Sequence, residues 1–335
     1  MATRKILYLP PEDLSASILS EQAREILNSL GSVIWNELGR NYTADELMEL
    51  LPGADAVVTS WGSPVFTPEM VKQADNLKIV GHAAGTVKQL MPQEGHDKGI
   101  VVLSAAKEIA KSVAEYTLWA MLHFQRNVYH YDHLLKVERG WKAKGREGFG
   151  HTLYRKKVGI VSASMVGRQV INLLAPFGCD IMVFDPYLSD EDAANMGVKK
   201  GSLEDVFSKN EIISNHAPIT PETKKMISAA HIASIPDGTL FVHTARTWVM
   251  DQDALVEELK KNRFFAVLDV FEPEPLPADH PVRDLDNVFL SPHISGHTVE
   301  GRFRLVESIA EDIVRFFNDE PLELVVPPEK LKIMA

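Results

Sequence analysis

Three residues far apart in the chain, Arg246, Glu274 and His293, are of types that could work together in one active site. Each follows a short run of β-branched and apolar residues, which is the pattern of a buried parallel strand. Ligands of an open α/β sheet bind beyond the carboxyl ends of its strands. A guanidinium, a carboxylate and an imidazole at that edge can hold an anion, tune a base and transfer a proton. Taken singly, each residue could instead be an ordinary surface group.

The segments around these residues alternate between strand and helix patterns, which indicates an α/β fold with parallel sheets, the first of them flavodoxin-like. We predict strands at 5–9, 33–35, 55–59, 77–80, 100–103, 158–161, 180–184, 211–215, 240–244, 265–270 and 288–290. Long helices are predicted at 14–30, 108–135 and 298–317. Thr43 and Glu46 have the spacing of a capping box at the start of a further helix.

The composition is that of an ordinary soluble protein, with 335 residues, of which 45% are hydrophobic and 24% charged. The formal net charge of −11 disfavours nucleic acids and anionic membranes as partners. No apolar run is long enough to span a bilayer, and the apolar stretch near the N-terminus is too short for a signal peptide. Cys179 is the sole cysteine, so no intrachain disulfide can form, and a cytoplasmic location is expected.

A candidate cofactor site begins at residues 158–168, where a strand, a turn of small residues and a helix start follow one another. A dinucleotide-binding fingerprint would place glycines at three positions that here hold Ser162, Ser164 and Gly167. Asp185, at the end of the next strand, could accept hydrogen bonds from a ribose diol and repel a 2′-phosphate, which favours NAD over NADP. It could equally be a turn residue before Pro186.

Six segments in order along the chain resemble motifs of the D-2-hydroxyacid dehydrogenase family, which includes phosphoglycerate, D-lactate and glyoxylate/hydroxypyruvate enzymes. They are SVAEYTL at 112–118, HAPITPET at 216–223, TAR at 244–246, DQDAL at 251–255, LDVFEPEPL at 268–276 and SPHISG at 291–296. The resemblance implies two Rossmann-like or flavodoxin-like domains with parallel sheets and a cleft between them.

The same resemblance implies how the chain is divided and assembled. Residues 1–104 and 297–335 would form the substrate domain, to which the C-terminal helix returns, and residues 105–296 the NAD-binding domain. The family also implies a homodimer joined through the NAD-binding domain, with the glycine-rich segment 139–157 as its arm.

Carried onto this sequence, the resemblance assigns roles to individual residues. Arg246 would bind the substrate carboxylate and polarise the keto oxygen, together with the backbone amides of Ala84 and Gly85. His293 would transfer the proton, and Glu274 would favour its protonated form. NAD contacts would come from Ser164, Met165, Val166, Asp185, Ala217, Pro218, Thr223, Thr244, Ala245, Asp269, His293 and Gly296.

The function that follows is an NAD-dependent oxidoreductase that interconverts a small 2-keto acid and its D-2-hydroxy acid by hydride transfer. The alternative is an NAD(H)-binding regulatory or degenerate paralogue, because two fingerprint glycines are serines. Formate dehydrogenase chemistry is disfavoured, since it needs no proton donor for a keto oxygen. Two departures from the family lie near Arg246: His243 replaces an asparagine, and the bulky Trp248 would either narrow the cleft or fill the core, and we interpret it as core. His293 and His297 have a metal-like spacing but lack a third ligand, so no metal site is predicted.

Overall fold

The computed structural model describes residues 4–141 and 149–334. The chain divides into two compact units, one formed by Met1–Ala110 with His297–Ala335 and the other by Lys111–Gly296. The chain first passes from one unit to the other between Ala110 and Lys111, inside a helix. This is six residues after the domain boundary expected from the sequence.

Both units are built from parallel strands with helices between them. The strands are β1 Arg4–Tyr8, β2 Gly31–Trp35, β3 Ala56–Thr59, β4 Ile79–His82, β5 Val101–Ser104, β6 Lys157–Val161, β7 Asp180–Phe184, β8 Lys199–Lys200, β9 Ile212–Asn215, β10 Leu240–His243, β11 Phe265–Leu268 and β12 Val288–Leu290. The helices are α1 Glu12–Ile18, α2 Glu21–Leu30, α3 Ala44–Leu50, α4 Pro68–Gln73, α5 Gln93–Asp97, α6 Ala106–Gln125, α7 Val128–Lys136, α8 Met165–Leu174, α9 Asp190–Asn195, α10 Leu203–Ser208, α11 Ala229–Ala233, α12 Gln252–Leu259 and α13 Val299–Phe317.

The first unit contains a five-stranded parallel sheet in the order β2-β1-β3-β4-β5, which is the flavodoxin-like order. All four residues of β3 and of β4 are buried, as expected for strands that are covered on both faces. The C-terminal helix α13 packs on this sheet as predicted. A Cβ added at Gly81 in β4 would lie 2.2 Å from Ile309 Cγ2 in α13, so glycine permits that close approach.

The second unit contains a seven-stranded parallel sheet in the order β12-β11-β10-β9-β6-β7-β8. The order reverses direction between β6 and β9, which is the switch point of a Rossmann fold. Two apolar clusters cover the faces of this sheet, one centred on Phe207 and Phe241 and the other on Ile160 and Leu174. The predicted α/β fold with two parallel sheets is therefore confirmed.

Two long helices predicted from the sequence are each interrupted. The prediction of one helix over 14–30 is wrong, because α1 ends at Ile18 and the Ser20 hydroxyl accepts a hydrogen bond from the Ala23 N–H to start α2. The prediction of one helix over 108–135 is also wrong. Asn127 adopts a left-handed conformation with φ of 50° and separates α6 from α7.

One cap predicted from the sequence is present in the structure. The capping box at Thr43 and Glu46 is present at the start of α3. The structure describes no helix that is long and apolar enough to cross a membrane.

Candidate active site

The carboxyl ends of three neighbouring strands place the three residues predicted to do chemistry. Strands β10, β11 and β12 pair side by side in parallel, and Arg246, Glu274 and His293 follow them in that order. His293 Nδ1 lies 2.8 Å from Glu274 Oε2. The charge of Arg246 is close enough to act on the Glu274 carboxylate. The structure therefore brings together a cation, an acid and an imidazole from distant parts of the sequence.

Glu274 is held as a carboxylate by its neighbours. Burial alone would raise the pKa of Glu274, but hydrogen bonds from His293 and the Phe271 N–H, together with the charge of Arg246, lower it overall. The Phe271 N–H donates to Oε1 at 3.0 Å, which leaves Oε2 to accept from His293 Nδ1. Since an ionised carboxylate only accepts, Nδ1 of His293 carries a proton and Nε2 is the nitrogen available for proton transfer.

His293 stands in a loop that is organised by Asp269, which is fully buried. The backbone of His293 has φ of 56°, a left-handed conformation that few residues other than glycine adopt. Both carboxylate oxygens of Asp269 hold this loop: Oδ1 accepts from the Ser291 hydroxyl at 2.6 Å and the Ile294 N–H at 2.9 Å, and Oδ2 from the Ser295 N–H at 2.9 Å. The Asp269 carbonyl accepts from the His293 N–H at 2.9 Å.

Helix α6 extends this network. The Ser291 hydroxyl donates to Asp269, so the Tyr116 hydroxyl, 2.5 Å away, donates to Ser291. Burial, partly offset by the Ser291 hydrogen bond, raises the pKa of Tyr116. Sequence reasoning did not identify Tyr116 or Ser291 as site residues. Their presence inside two of the family-like segments, 112–118 and 291–296, was the available signal.

Arg246 begins the short 3-10 turn Thr247–Val249 and has an exposed side chain. Its Nη1 donates to the Ala245 carbonyl at 2.6 Å. The interpretation of Trp248 as a core residue is wrong: it is 43% exposed, and Lys224 Nζ lies 4.6 Å from its ring centroid. The turn points the indole outward because Val249, not Trp248, takes the buried position.

His243, directly upstream of this turn, is fully buried beside its cross-strand neighbour Asn215. Asn215 Nδ2 donates to His243 Nδ1 at 3.1 Å, and Asn215 Oδ1 accepts from the Ala217 N–H at 3.1 Å. Burial lowers the pKa of His243 to about 3, and the charges of His216 and Arg246 act in the same direction. A neutral imidazole at the end of β10 is therefore tied, through Asn215, to the loop after β9.

The turn after β6 has the geometry of a dinucleotide-binding turn although it lacks two glycines. Ser162, at the first glycine position, has φ of 74°, so it adopts the left-handed conformation that glycine would favour. A Cβ added at Gly167 would lie 2.1 Å from the Ser162 carbonyl oxygen. Gly167 therefore allows the start of α8 to pack closely on the turn after β6.

Both serines of the turn have partners. The Ser162 hydroxyl donates to Asp185 Oδ2 at 3.2 Å, and the Ala163 N–H donates to the same oxygen at 2.8 Å. Asp185 Oδ1 accepts from the Tyr187 N–H at 2.8 Å. The Ser164 hydroxyl caps α8 and donates to the His216 carbonyl at 2.8 Å. The serines thus link the turn to β7 on one side and to the loop after β9 on the other.

The remaining residues predicted to contact NAD line the same edge of the second sheet. Met165 and Val166 begin α8 at the switch point, and Met165 is exposed. In the loop after β9, the Thr223 hydroxyl donates to the Pro218 carbonyl at 2.7 Å. Beyond β10, the buried hydroxyl of Thr244 has no hydrogen-bond partner among the described residues. A dinucleotide fits this edge, because three suitable groups lie along it. They are the N-terminus of α8, the Asp185 carboxylate after β7 and the unpartnered Thr244 hydroxyl.

Ala84 and Gly85, predicted to bind the substrate carboxylate, follow β4 and belong to the first unit. The Ser104 hydroxyl donates to the Gly85 carbonyl at 2.5 Å, and the Ser60 hydroxyl donates to the Ala83 carbonyl at 2.9 Å. Nearby His82 is buried, which lowers its pKa to about 4, so it is neutral at neutral pH. Within the described residues, no group of His, Cys, Asp and Glu side chains is placed to hold a metal ion.

Comparisons with known proteins identify what these features have in common. Residues 118–295 match the family model described as "D-isomer specific 2-hydroxyacid dehydrogenase, NAD binding domain". The chain is 35% identical over 321 residues to a D-3-phosphoglycerate dehydrogenase of Methanocaldococcus jannaschii, with 93% of this chain and 60% of that protein covered. It is 33% identical to a hydroxypyruvate reductase of Thermotoga maritima, with 81% and 87% covered.

Among solved structures, a phosphoglycerate oxidoreductase from Rhizobium etli superposes with a TM-score of 0.83 at 25% identity, with 96% of this chain and 98% of that chain covered. The chain spans about 60% of the length of the phosphoglycerate dehydrogenases of M. jannaschii and Archaeoglobus fulgidus. The match to the hydroxypyruvate reductase, in contrast, extends over most of both proteins. The chain therefore belongs to the D-isomer specific 2-hydroxyacid dehydrogenase family, and its second unit contains the NAD-binding domain of that family.

Proposed function

We propose that this protein interconverts a small 2-keto acid and its D-2-hydroxy acid, with NAD as the hydride carrier. The observation that carries the proposal is the Glu274–His293 pair at 2.8 Å, with Arg246 near it, at the carboxyl edge of a family NAD-binding domain. An acid that orients an imidazole is the arrangement expected of a proton donor. A cation with a planar fork suits the carboxylate of the substrate.

The roles that we propose for the residues combine these contacts with the family resemblance. Arg246 binds the substrate carboxylate and polarises the keto oxygen. The backbone amides of Ala84 and Gly85 are assigned to a substrate carboxylate by the family resemblance. NADH, when bound, supplies the hydride to the carbonyl carbon. His293 donates the proton on Nε2 to the keto oxygen during reduction and accepts it back during oxidation. Glu274 stabilises the protonated imidazole through Nδ1.

We assign NAD to the edge of the second sheet that begins at α8. The helix N-terminus at Met165 and Val166 binds the pyrophosphate, and Asp185 accepts from the ribose diol. The other contacts come from Ser164, Ala217, Pro218, Thr223, Thr244, Ala245, Asp269, His293 and Gly296. Asp269 contributes mainly by shaping the loop, because it is fully buried and its oxygens accept hydrogen bonds there. We further assign the substrate to the first unit and NAD to the second, in a cytoplasmic protein.

The proposal also includes a homodimer joined through the NAD-binding unit. Aromatic and apolar side chains are exposed on and beside α6 and α7, among them Tyr129, which is 58% exposed, and Trp119, which packs edge-on against Phe289. An exposed aromatic surface of this kind is typical of protein interfaces. The arm predicted at 139–157 lies partly outside the described residues, since 142–148 are among those that the structure does not describe.

The dimer is tested by sedimentation of the wild-type chain and of a Tyr129→Glu variant. Because Tyr129 is exposed, a charge at this position should leave the protomer folded. Compared with the wild type, the equilibrium of the variant should shift from dimer towards monomer. A monomeric wild-type chain, or a variant that sediments like the wild type, would contradict this choice of surface.

The activity is tested by mixing the protein with NADH and glyoxylate, hydroxypyruvate or pyruvate and following the loss of NADH absorbance. His293→Ala and Arg246→Ala should each lower kcat/KM by about 100-fold or more, because each removes a group that interacts with the reacting atoms. NADH binding measured by calorimetry should persist in both variants. Turnover that is unchanged in either variant would remove that residue from the mechanism. NADH binding without turnover on any 2-keto acid would instead favour a regulatory protein.

A further inference from the structure

An arginine and a tryptophan of the first unit form a cation–indole pair at the carboxyl edge of the first sheet. Trp61 follows β3 by two residues, and the guanidinium of Arg302 in α13 lies 4.9 Å from the Trp61 ring centroid. Trp61 is 40% exposed, and Arg302 is partly buried. At such an exposed site the indole ring holds the guanidinium in place, and the guanidinium keeps its positive charge.

The pair lies beside the loop that we assign to the substrate carboxylate. Strand β3 pairs directly with β4, with Thr59 opposite His82. The Ser60 hydroxyl, next to Trp61, donates to the Ala83 carbonyl at 2.9 Å, so the two loops are tied together. Trp61 is thus joined, through one residue and one hydrogen bond, to the stretch that continues into Ala84 and Gly85.

Helix α13 brings Arg302 to this edge from another part of the chain. Ile309 in the same helix contacts Gly81 in β4, and Arg302 precedes Ile309 by seven residues, or about 10 Å along the helix axis. Thr298 caps the helix, with its hydroxyl accepting from the Gly301 N–H. The N-terminal end of α13 therefore reaches the carboxyl edge where Trp61 stands.

The contacts of Arg302 leave its charge available. Its Nη2 donates to the Ser17 hydroxyl at 2.9 Å, and among the residues that the structure describes it has no acidic partner. Arg304, two residues later, is different because it contacts both Glu307 and Glu311. A guanidinium has five N–H donors, so most of those of Arg302 remain for a ligand.

We propose that Arg302 and Trp61 form a subsite for a second anionic group at the far end of the substrate. This inference rests on the function proposed above and narrows its substrate to 2-keto acids that end in a carboxylate or a phosphate. The carboxylate next to the keto group goes to the amides of Ala84 and Gly85, which belong to the same unit as Trp61 and Arg302. The distal anion accepts hydrogen bonds from Arg302, and Trp61 keeps the guanidinium in place and forms the apolar wall beside the chain of the substrate.

The test compares two pairs of substrates, and in each pair one member carries a distal anion where the other carries a neutral group. Wild-type kcat/KM should be higher for 2-oxoglutarate than for 2-oxovalerate, or higher for phosphohydroxypyruvate than for hydroxypyruvate, by about tenfold or more. The first pair reports on a distal carboxylate and the second on a distal phosphate. For each pair we take the ratio of kcat/KM for the anionic substrate to kcat/KM for the neutral one. Arg302→Gln should reduce the larger of the two ratios to near one. Arg302→Lys should restore part of that ratio, because the positive charge returns.

A matched control exists in the same unit. Arg24 lies 4.4 Å from the ring centroid of Trp35, which ends β2, three places along the sheet from β4. Arg24→Gln removes the same kind of cation–indole pair away from the proposed subsite and should leave both ratios unchanged. Circular dichroism and melting temperature establish that each variant is folded.

The outcomes separate the two proposals. Two results would overturn the subsite and leave the dehydrogenase function in place. One is turnover in which neither charged substrate is preferred. The other is an Arg302→Gln variant that slows all substrates by the same factor. Absence of turnover with every 2-keto acid tested would overturn the function and the subsite with it. A selective loss in Arg302→Gln that Arg24→Gln does not reproduce would support the subsite.

Discussion

The proton donor proposed here depends on two separate sets of contacts. Glu274 fixes the protonated nitrogen of His293, while Asp269 fixes the backbone that carries the ring. A left-handed backbone at a histidine has a conformational cost of about 1 kcal/mol or more, which the hydrogen bonds of the buried carboxylate offset. Replacing either acid should therefore impair the site in a different way.

Glu274→Gln tests the first set of contacts. Glutamine keeps the shape but cannot stabilise an imidazolium by charge, so kcat for reduction at neutral pH should fall by about 10- to 100-fold. Steady-state kinetics at neutral pH measure this effect. Glu272→Gln is the matched control, because Glu272 is exposed two residues away.

Tyr116→Phe tests the second set. The Ser291 hydroxyl would lose the hydrogen bond that it accepts from α6, and kcat should fall by about fivefold while the Kd of NADH changes little. Steady-state kinetics and calorimetry separate these quantities. Tyr154→Phe removes an exposed hydroxyl from the same unit and should leave both unchanged. Equal losses in the two variants would mean that Tyr116 has no specific role in positioning His293.

At the scale of elements, the packing of α8 on β6 determines the shape of the cofactor turn. A methyl group at Gly167 would meet the Ser162 carbonyl at 2.1 Å, so the helix would have to move away from the strand. We expect Gly167→Ala to lower the free energy of unfolding by about 1–3 kcal/mol and to weaken NADH binding. Ser162→Gly should do the reverse for stability, since glycine adopts φ of 74° without strain. Urea unfolding and NADH titration of both variants provide the measurement.

The strands and their parallel direction were predictable, because apolar runs and turn residues are local signals and βα alternation indicates parallel strands. The breaks within apparently continuous helices could not be predicted. Asn127 interrupts one helix through its backbone angle, and Ser20 interrupts the other by capping α2. In the sequence, the signals of both residues are weak compared with the helix propensity of their neighbours. The two-residue strand β8 is too short to show a period.

The same limit applies at the site. Arg246, Glu274 and His293 could be named because each follows a strand end and lies in a family-like segment. The exposure of Trp248 depends on a 3-10 turn whose orientation is set by packing of Val249, which no pattern in the sequence shows. The contacts of Ser162 and Ser164 similarly needed coordinates, because a serine in place of a glycine gives no indication of its partner.

At the scale of the whole molecule, buried neutral histidines make stability depend on pH. Burial lowers the pKa of His216 and of His243 to about 3, well below the ordinary value of 6.5. The unfolded chain takes up these protons below pH 6.5 and the folded chain does not, so the free energy of unfolding falls as the pH falls through the window from 6.5 towards 3. Each histidine contributes about 1.4 kcal/mol per pH unit within that window.

Urea unfolding at pH 7 and pH 5.5 measures this dependence before most carboxylates begin to titrate. His243→Asn should reduce the difference between the two pH values, because one of the two groups is removed. A wild-type stability that stays constant down to pH 5 would show that these rings take up protons without unfolding.

The hydrogen bonds at Asp185 link coenzyme preference to backbone shape. An exchange of this carboxylate for a neutral side chain, made to admit NADPH, would also remove the acceptor of the Ala163 amide and of the Ser162 hydroxyl. The substitution that changes the coenzyme preference would therefore also remove the hydrogen bonds that hold the turn. A glycine at position 162 would have to accompany such an exchange, so a change of coenzyme in this chain is expected to require paired substitutions.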